Sequence, residues 1–266
     1  MTNILIGYAN YVDSATLAGG SWASGNPLTN LKDGRLALVA RSSNALTTST
    51  VITVDLGAAK KVRVVGVVNH NLSIGATVTV EGSSSSGFSP IGATSGAVPA
   101  WPAGAVAADT DYPRPTVAVA LDATYRYWRV SISNTANPAG YVQLGRLFIG
   151  DGWRPSINMQ SGATLSLESD TAVERSLGGA EFFGVKPLRR VMRFGLPPLP
   201  VAEAYGSGFE ILRRSALHEE VFLIPDESDT ANRARRDFMG RLRTLSALEH
   251  PYGDAATAAF EVSELL

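Results

Sequence analysis

The chain contains no cysteine. This excludes disulfide staples, thiolate nucleophiles and every zinc site built on sulfur. Histidine is almost as scarce, with 3 residues in 266, which leaves little material for imidazole metal sites or general bases. Excess charge of either sign is also missing. Lys and Arg number 23 against 24 Asp and Glu, a formal net charge of -1, so no global field points to nucleic acid or to an anionic membrane. The longest apolar run falls far short of the roughly 20 residues that a membrane-spanning helix needs, so no membrane insertion is expected. The opening MTNILIGYAN lacks the basic start and small-residue cleavage site of a secretory leader. These features predict a chain folded in a reducing cytoplasm. At 45% hydrophobic and 18% charged residues, the composition is that of a globular protein able to bury a sizeable core.

The two halves of the chain differ. Residues 1–150 carry 10 Lys and Arg against 7 Asp and Glu, whereas residues 151–266 carry 13 against 17. The first half reads as short β-branched or aromatic runs bounded by turn residues, at 51–56, 62–68, 77–81, 116–121 and 127–132. Such spacing predicts a β-sandwich or barrel. Residues 82–115 are rich in Gly, Ser, Ala and Pro and predict a long surface excursion. In the second half, strands are predicted at 164–168, 209–212, 220–224 and 260–262. A helix is predicted over about 228–245, because Ala234, Phe238, Leu242 and Leu245 recur at spacings of four, four and three. Asp226, Ser228 and Asp229 stand where helix caps belong. The fold class predicted is therefore mainly β: an N-terminal jelly-roll β-sandwich at 1–150 and a C-terminal β-rich assembly domain at 151–266 with one amphipathic helix.

Catalytic signatures are absent. There is no G-x-S-x-G elbow and no phosphate-binding loop. The carboxylate pairs Glu168/Asp170, Glu174/Glu181 and Glu219/Glu220 read as solvated acids, since a glycosidase separation arises from tertiary placement and not from spacing along the chain. Arginine is the informative charge. Of the 23 basic residues 19 are Arg, and 10 of these lie between Arg189 and Arg243. A net-acidic half argues against phosphate tracking. The guanidinium fork instead suits carboxylates across a contact between copies, with Arg189, Arg190, Arg193, Arg213, Arg214, Arg233 and Arg236 as candidates.

Four elements carry a resemblance. Asn30-Leu31-Lys32-Asp33-Gly34, Val54-Asp55-Leu56-Gly57, Tyr127-Trp128-Arg129-Val130 and Gly145-Arg146-Leu147-Phe148-Ile149-Gly150 occur in that order, and the first 150 residues resemble the discoidin-like, galactose-binding jelly roll. The resemblance implies a sandwich that reads glycans, with Trp22, His70, Asn71, Trp101 and Tyr112 as the candidate ligand residues. Some members of that family hold calcium, helped by a carboxylate near the last strand. Gln143 stands there in this chain without one, so neither a metal nor a cofactor is expected.

The two-part plan, with Glu249-His250-Pro251-Tyr252 behind the predicted helix, resembles the distal tail proteins of siphophages and related prophages. The sandwich comes first here, whereas the hub domain usually leads in that family. The resemblance implies a non-enzymatic tail-tip or baseplate component in the virion, assembled in the host cytoplasm. It would form a ring, a hexamer in that family, that joins the tail tube to the tip and meets the tube, tape measure and hub proteins. Its peripheral sandwiches would reach host surface glycans. The competing expectation is a monomeric, lectin-like glycan binder, and the third is a polysaccharide-degrading enzyme.

Overall fold

The computed structural model describes residues 2–106 and 114–266. The strands of the first half are β1 (Leu5–Asn10), β2 (Thr16–Ala18), β3 (Ala40–Arg41), β4 (Val51–His70), β5 (Thr77–Ser83), β6 (Ala93–Pro99), β7 (Thr116–Ser133) and β8 (Gln143–Trp153). Those of the second are β9 (Thr164–Glu168), β10 (Ala172–Arg175), β11 (Glu181–Gly184), β12 (Arg189–Pro200), β13 (Val221–Ile224), β14 (Phe238–Leu242), β15 (Glu249–Tyr252) and β16 (Ala255–Glu264). The protein is mainly β, as its sequence predicts. No helix among the described residues is long and apolar enough to cross a membrane.

The predicted strands 51–56 and 62–68 are two arms of one long strand, β4, and 116–121 and 127–132 are likewise arms of β7. Between the arms the ladder loses register at Asp55/Lys60 and Val62/Val64. The bend begins where Gly57 takes a positive φ of 76° and its N–H donates to the Asp55 carboxylate, a conformation that disfavours a Cβ. Strands that bend in this way pass from one layer of a sandwich to the other. One layer holds β6, β5 and the outer arms of β7 and β4, and the other holds the inner arms with β8. Between them lies a core that includes Ile52, Val54, Val65, Val67, Val78, Trp128, Val130 and Leu147. Trp128 is fully buried, and truncating such a side chain to Ala costs about 3–5 kcal/mol.

Val64–Val68 reads as an apolar run without a charged or polar side chain because both of its faces are covered. Val65 and Val67 face the sandwich core, while Val64 and Val68 pack with Leu36, Phe148, Phe222, Ile224 and Met239, of which the last three come from the second half. Gly66 makes this approach possible: a Cβ built there would stand 2.1 Å from Cε2 of Phe222. Strand pairing also runs through residue 150. β8 continues to Trp153, and β1 lies between β8 and β13, with Ile6 opposite Trp153 and Leu5 opposite Ile224. From there the sheet continues as β13-β14-β16-β12-β9.

A buried ion pair closes the same seam. Arg146, on β8, sends Nε to both carboxylate oxygens of Glu220 at 3.0 Å and one terminal nitrogen to Glu220 at 2.8 Å, and it also bonds Asp13 and the Leu31 carbonyl. The second half has its own core, in which Phe194, Leu196, Leu199, Ile211, Phe238, Phe260 and Val262 surround Ile4, Ile6 and Trp153.

Three expectations are corrected. The helix over 228–245 reduces to one turn, α3 (Arg233–Arg236), and from Phe238 the chain is strand. Phe238 and Leu242 share a face at helical spacing, but four is also an even number, so they share a strand face too. Met239 between them is buried in the other core, which only a strand covered on both sides permits. Gly240 seals the choice against a helix: its missing Cβ would lie 2.4 Å from the Ser263 carbonyl oxygen on β16. The predicted capping residues serve elsewhere, with Asp226 binding Thr2 and Ser228 while Asp229 binds Arg236.

The predicted strand at 209–212 is helical. α1 (Val201–Glu203) passes through a π-helical stretch, Ala204–Phe209, into α2 (Glu210–Ser215). Its buried residues Ala204, Gly208, Ile211, Leu212 and Ser215 recur at helical spacing, and Gly208 lies against the Trp153 indole. Finally, the excursion over 82–115 contains an edge strand, β6, largely exposed and, among the described residues, paired only to β5.

Candidate functional site

The candidate ligand residues do not form one open platform. His70 and Trp101 are both buried, 6% and 5% exposed, and meet edge to face at 5.5 Å. The Trp101 indole N–H donates to the Leu72 carbonyl oxygen at 2.7 Å. Nδ1 of His70 accepts from the Leu72 N–H, which assigns the ring proton to Nε2. Burial pushes the His70 pKa down to about 3, so the ring is neutral. Asn71 is half-buried and works as a loop clamp: its Nδ2 donates to the Tyr141 carbonyl and its Oδ1 accepts from the Gln143 N–H. Trp22 is half-buried, forms an isolated bridge with Ser42, and donates its indole N–H to the Gly19 carbonyl. Tyr112 lies outside the described residues.

What the fold does bring together is a group that sequence spacing did not indicate. β3 pairs with β8 so that Arg41 stands opposite Gln143. The Arg41 guanidinium donates to the Gln143 side-chain oxygen at 3.1 Å and lies 4.4 Å from the centre of the Tyr141 ring. Its Nε is buried without a partner. Trp22 and Asn71 adjoin this group through the Ser42 bridge and the Tyr141–Gln143 backbone. The rim formed in this way offers a ring face, a planar cation and an amide side by side, which is the mixture of an apolar face and fixed polar groups that ligand sites use.

The arginines are bound within the chain. Arg190 is buried and pairs with Glu264 while donating to the carbonyls of Ala234, Arg235 and Asp237. Arg189 binds Glu168 and Asp170, and Arg193 binds Glu261 at 2.9 Å. Arg213 and Arg214 share Glu210 at 2.7 and 2.9 Å, Arg236 holds Asp229, and Arg233 donates to the Ala118 carbonyl. Arg190 is thus a strut of the fold. Glu210 is held down to about 2 by the hydrogen bonds from its two arginines. Beside this network Asp237 is buried, with Oδ1 unpartnered, and desolvation outweighs Arg233, Arg236 and Arg190 to raise its pKa to about 7.

The unpartnered surface is apolar and lies in the second half. Among the described residues β10 and β11 pair only with each other, as a two-stranded ribbon separate from the main sheet. Successive residues of a strand face opposite ways, and Phe182 and Phe183, 62% and 57% exposed, place a ring on each face of this ribbon. Val173 and the tip residue Leu177 are exposed as well. Elsewhere on the same half, Tyr205, Phe209, Leu212, Leu245 and Leu248 line a groove of about 460 Å³. His250 stacks on Tyr205 at its edge, with 3.1 Å between the hydroxyl oxygen and Nε2. Among the described residues, no group of three or more His, Asp or Glu side chains is placed to hold a metal ion.

No family model matches the chain, and no curated protein matches it. Among solved structures it is similar to a family 32 carbohydrate-binding module of NanJ from C. perfringens in complex with galactose, at 13% identity over 55% of this chain and 99% of that one, with a TM-score of 0.40. It is also similar to a module of a family 89 glycoside hydrolase from Clostridium perfringens in complex with GlcNAc-α-1,4-galactose, at 15% identity over 54% and 94% of the two chains and a TM-score of 0.38. A third is chitosan-binding module 1 from a Paenibacillus sp. IK-5 chitosanase/glucanase, at 17% identity over 54% and 100% and a TM-score of 0.38. In each case the likeness spans about half of this chain, and the β-sandwich of its first half rests on its own strand order and core.

Proposed function

We propose that this protein is a non-enzymatic structural subunit that assembles with copies of itself through its second half and carries its sandwich as a peripheral module. The observation that supports this reading is the β10–β11 ribbon. Phe182 on one face and Phe183 with Val173 on the other, which no described residue covers, give the ribbon apolar patches of the kind that mark an interaction site on a folded protein. A head-to-tail contact of this kind generates a closed ring when its rotation closes, which agrees with the tail-tip ring implied by the sequence resemblance. The tail tube, tape measure and hub proteins are then the expected neighbours, in a virion assembled in the host cytoplasm. Light scattering on the purified chain tests the reading: a mass of several chains at micromolar concentration supports it, and a monomer at every concentration removes it.

A second reading, glycan recognition by the sandwich, is supported by the rim of Arg41, Tyr141 and Gln143. Calorimetric titration with neutral and uronic oligosaccharides, repeated on Tyr141→Ala, tests it. Binding that Tyr141→Ala abolishes supports it, and the absence of heat with every sugar argues against it. The two readings are compatible, since copies displayed on a ring gain effective concentration from multiplicity.

A further inference from the structure

We infer that the glycan read by the loop end of the sandwich is acidic, with a uronic-type carboxylate held by the Arg41 guanidinium; this rests on the glycan reading above. Four segments meet at that end, 19–26, 41–50, 69–76 and 133–143, and hydrogen bonds tie each to the next. The Ser43 N–H donates to the Ser21 carbonyl, the Ser42 N–H to the Val142 carbonyl, and Nδ2 of Asn137 to the Asn71 carbonyl. Apart from Arg41 they contain no Asp, Glu, Lys or Arg. Arg41 is therefore the one formal charge they carry, since His70 is buried and neutral.

Most arginines of the fold are met by a carboxylate, as Arg146 is by Glu220, Arg126 by Asp55 and Arg129 by Glu81. Among the described residues none meets Arg41. Its neighbours are neutral: the Gln143 side-chain oxygen at 3.1 Å and the Tyr141 ring, 4.4 Å from its centre. Nε is buried without a partner, and the hydrogen bond to Gln143 uses one N–H of the terminal edge. The remaining N–H groups of that edge are left for a ligand. A half-buried cation without a counter-ion gains most from an anion, and a planar fork matches a carboxylate bidentately. The fork is also positioned in advance. The Ala23 N–H donates to the Arg41 carbonyl, and the Arg41 N–H donates to that of Asn26. One positive charge set among amides and hydroxyls, with Trp22 and Tyr141 half-buried beside it, suits a ring that bears one carboxylate and several hydroxyls. A nucleic acid backbone, in contrast, draws on several cations at once.

Calorimetry with the trimers of galacturonic and glucuronic acid, their methyl esters and galactotriose, at fixed ionic strength, tests the inference. An acid should bind at least about tenfold tighter than its ester, since a hydrogen bond to a charged group contributes more than a neutral one. Gln143→Glu sets a carboxylate against the guanidinium from within the chain, so it should remove that preference while leaving neutral binding in place. Arg41→Gln should do the same, with circular dichroism and melting temperature to show that the fold is intact. Acetate, a carboxylate without a sugar, should not displace the acidic trimer at equal concentration. Equal affinity for acid and ester overturns the inference and leaves the glycan reading standing. No heat with any of these sugars removes both. A preference that survives both substitutions places the anion elsewhere and overturns the inference. Displacement by acetate assigns the site to any carboxylate, which overturns it as well.

Discussion

Removing the Glu220 carboxylate should cost the protein about 3 kcal/mol, near the lower end of the roughly 3–5 kcal/mol typical of breaking a buried ion pair. The guanidinium of Arg146 is 3% exposed and the carboxylate of Glu220 7%. In Glu220→Ala the cation stays buried and loses its contacts at 3.0, 3.0 and 2.8 Å. It keeps Asp13, whose side chain is 46% exposed, and the Leu31 carbonyl, so part of the charge remains compensated. For a chain of this size each kcal/mol shifts the melting temperature by about 2–4 °C, so a fall of about 6–12 °C is expected. Replacing both partners by apolar residues, as Arg146→Met with Glu220→Leu, should cost much less than the two single changes summed, because no charge is left stranded. Urea unfolding of the parent, the single variants and the double variant gives the cycle, with equal m-values as the sign that only stability changed. Because the pair is buried, 0.5 M salt should leave the difference nearly intact. A loss below about 1 kcal/mol in Glu220→Ala, or a double variant as unstable as the sum, would refute the reasoning.

Three further outcomes follow from the same contacts. Gly66→Ala places a Cβ 2.1 Å from the Phe222 ring and should destabilise by about 1–3 kcal/mol or more, with partial recovery when Phe222→Leu is added; unfolding by urea measures both. Asp237 titrates at about 7 in the fold against 3.8 in the unfolded chain. The fold therefore binds that proton more tightly, and the contribution of Asp237 to stability falls as pH rises from about 4 to 7 and is flat above. Asp237→Asn should accordingly raise the melting temperature at pH 8 and change it little at pH 4, and equal effects at both would count against the assignment. The His70 ring should remain neutral at pH 5, with the proton on Nε2, and an imidazolium signal in its nitrogen NMR spectrum at that pH would contradict the buried geometry.

The sequence made the strands of the first half legible because period-two patterning and turn residues agree there. Val51–Leu56, Thr77–Glu81 and Tyr127–Ile132 all fall within strands. It could not separate helix from strand around Phe238, where a spacing of four serves both, and only the neighbours β13 and β16 decide. At 209–212 the signal was present but needed a wider window: the run from Ala204 to Ser215 is helical in its spacing, whereas its four-residue core looks like a strand. The arginines were legible as pairing groups but not as to their partners, since Arg190 finds Glu264 only through the fold. The group of Arg41, Tyr141 and Gln143 was invisible because Arg41 lies about a hundred positions from the other two and is brought beside them by the β3–β8 ladder. The exposed ribbon did leave a signal. Phe182-Phe183 stands in a stretch with turn glycines at Gly178-Gly179 and no core periodicity.

β1 has a consequence for how the protein is made. Its partners, β8 and β13, leave the ribosome some 140 and 215 residues after it, so the first strand synthesised waits for most of the chain before its edges are satisfied. Pairings of such long range make folding slow and leave an apolar edge open in the meantime. Cutting the chain at residue 150 would remove β13, shorten β8 by its last three residues, and bare the Val64 and Val68 face that Phe222 covers. The first half cut at that point should therefore fail to fold on its own. The minimal folding unit includes β1, β8 and β13 together.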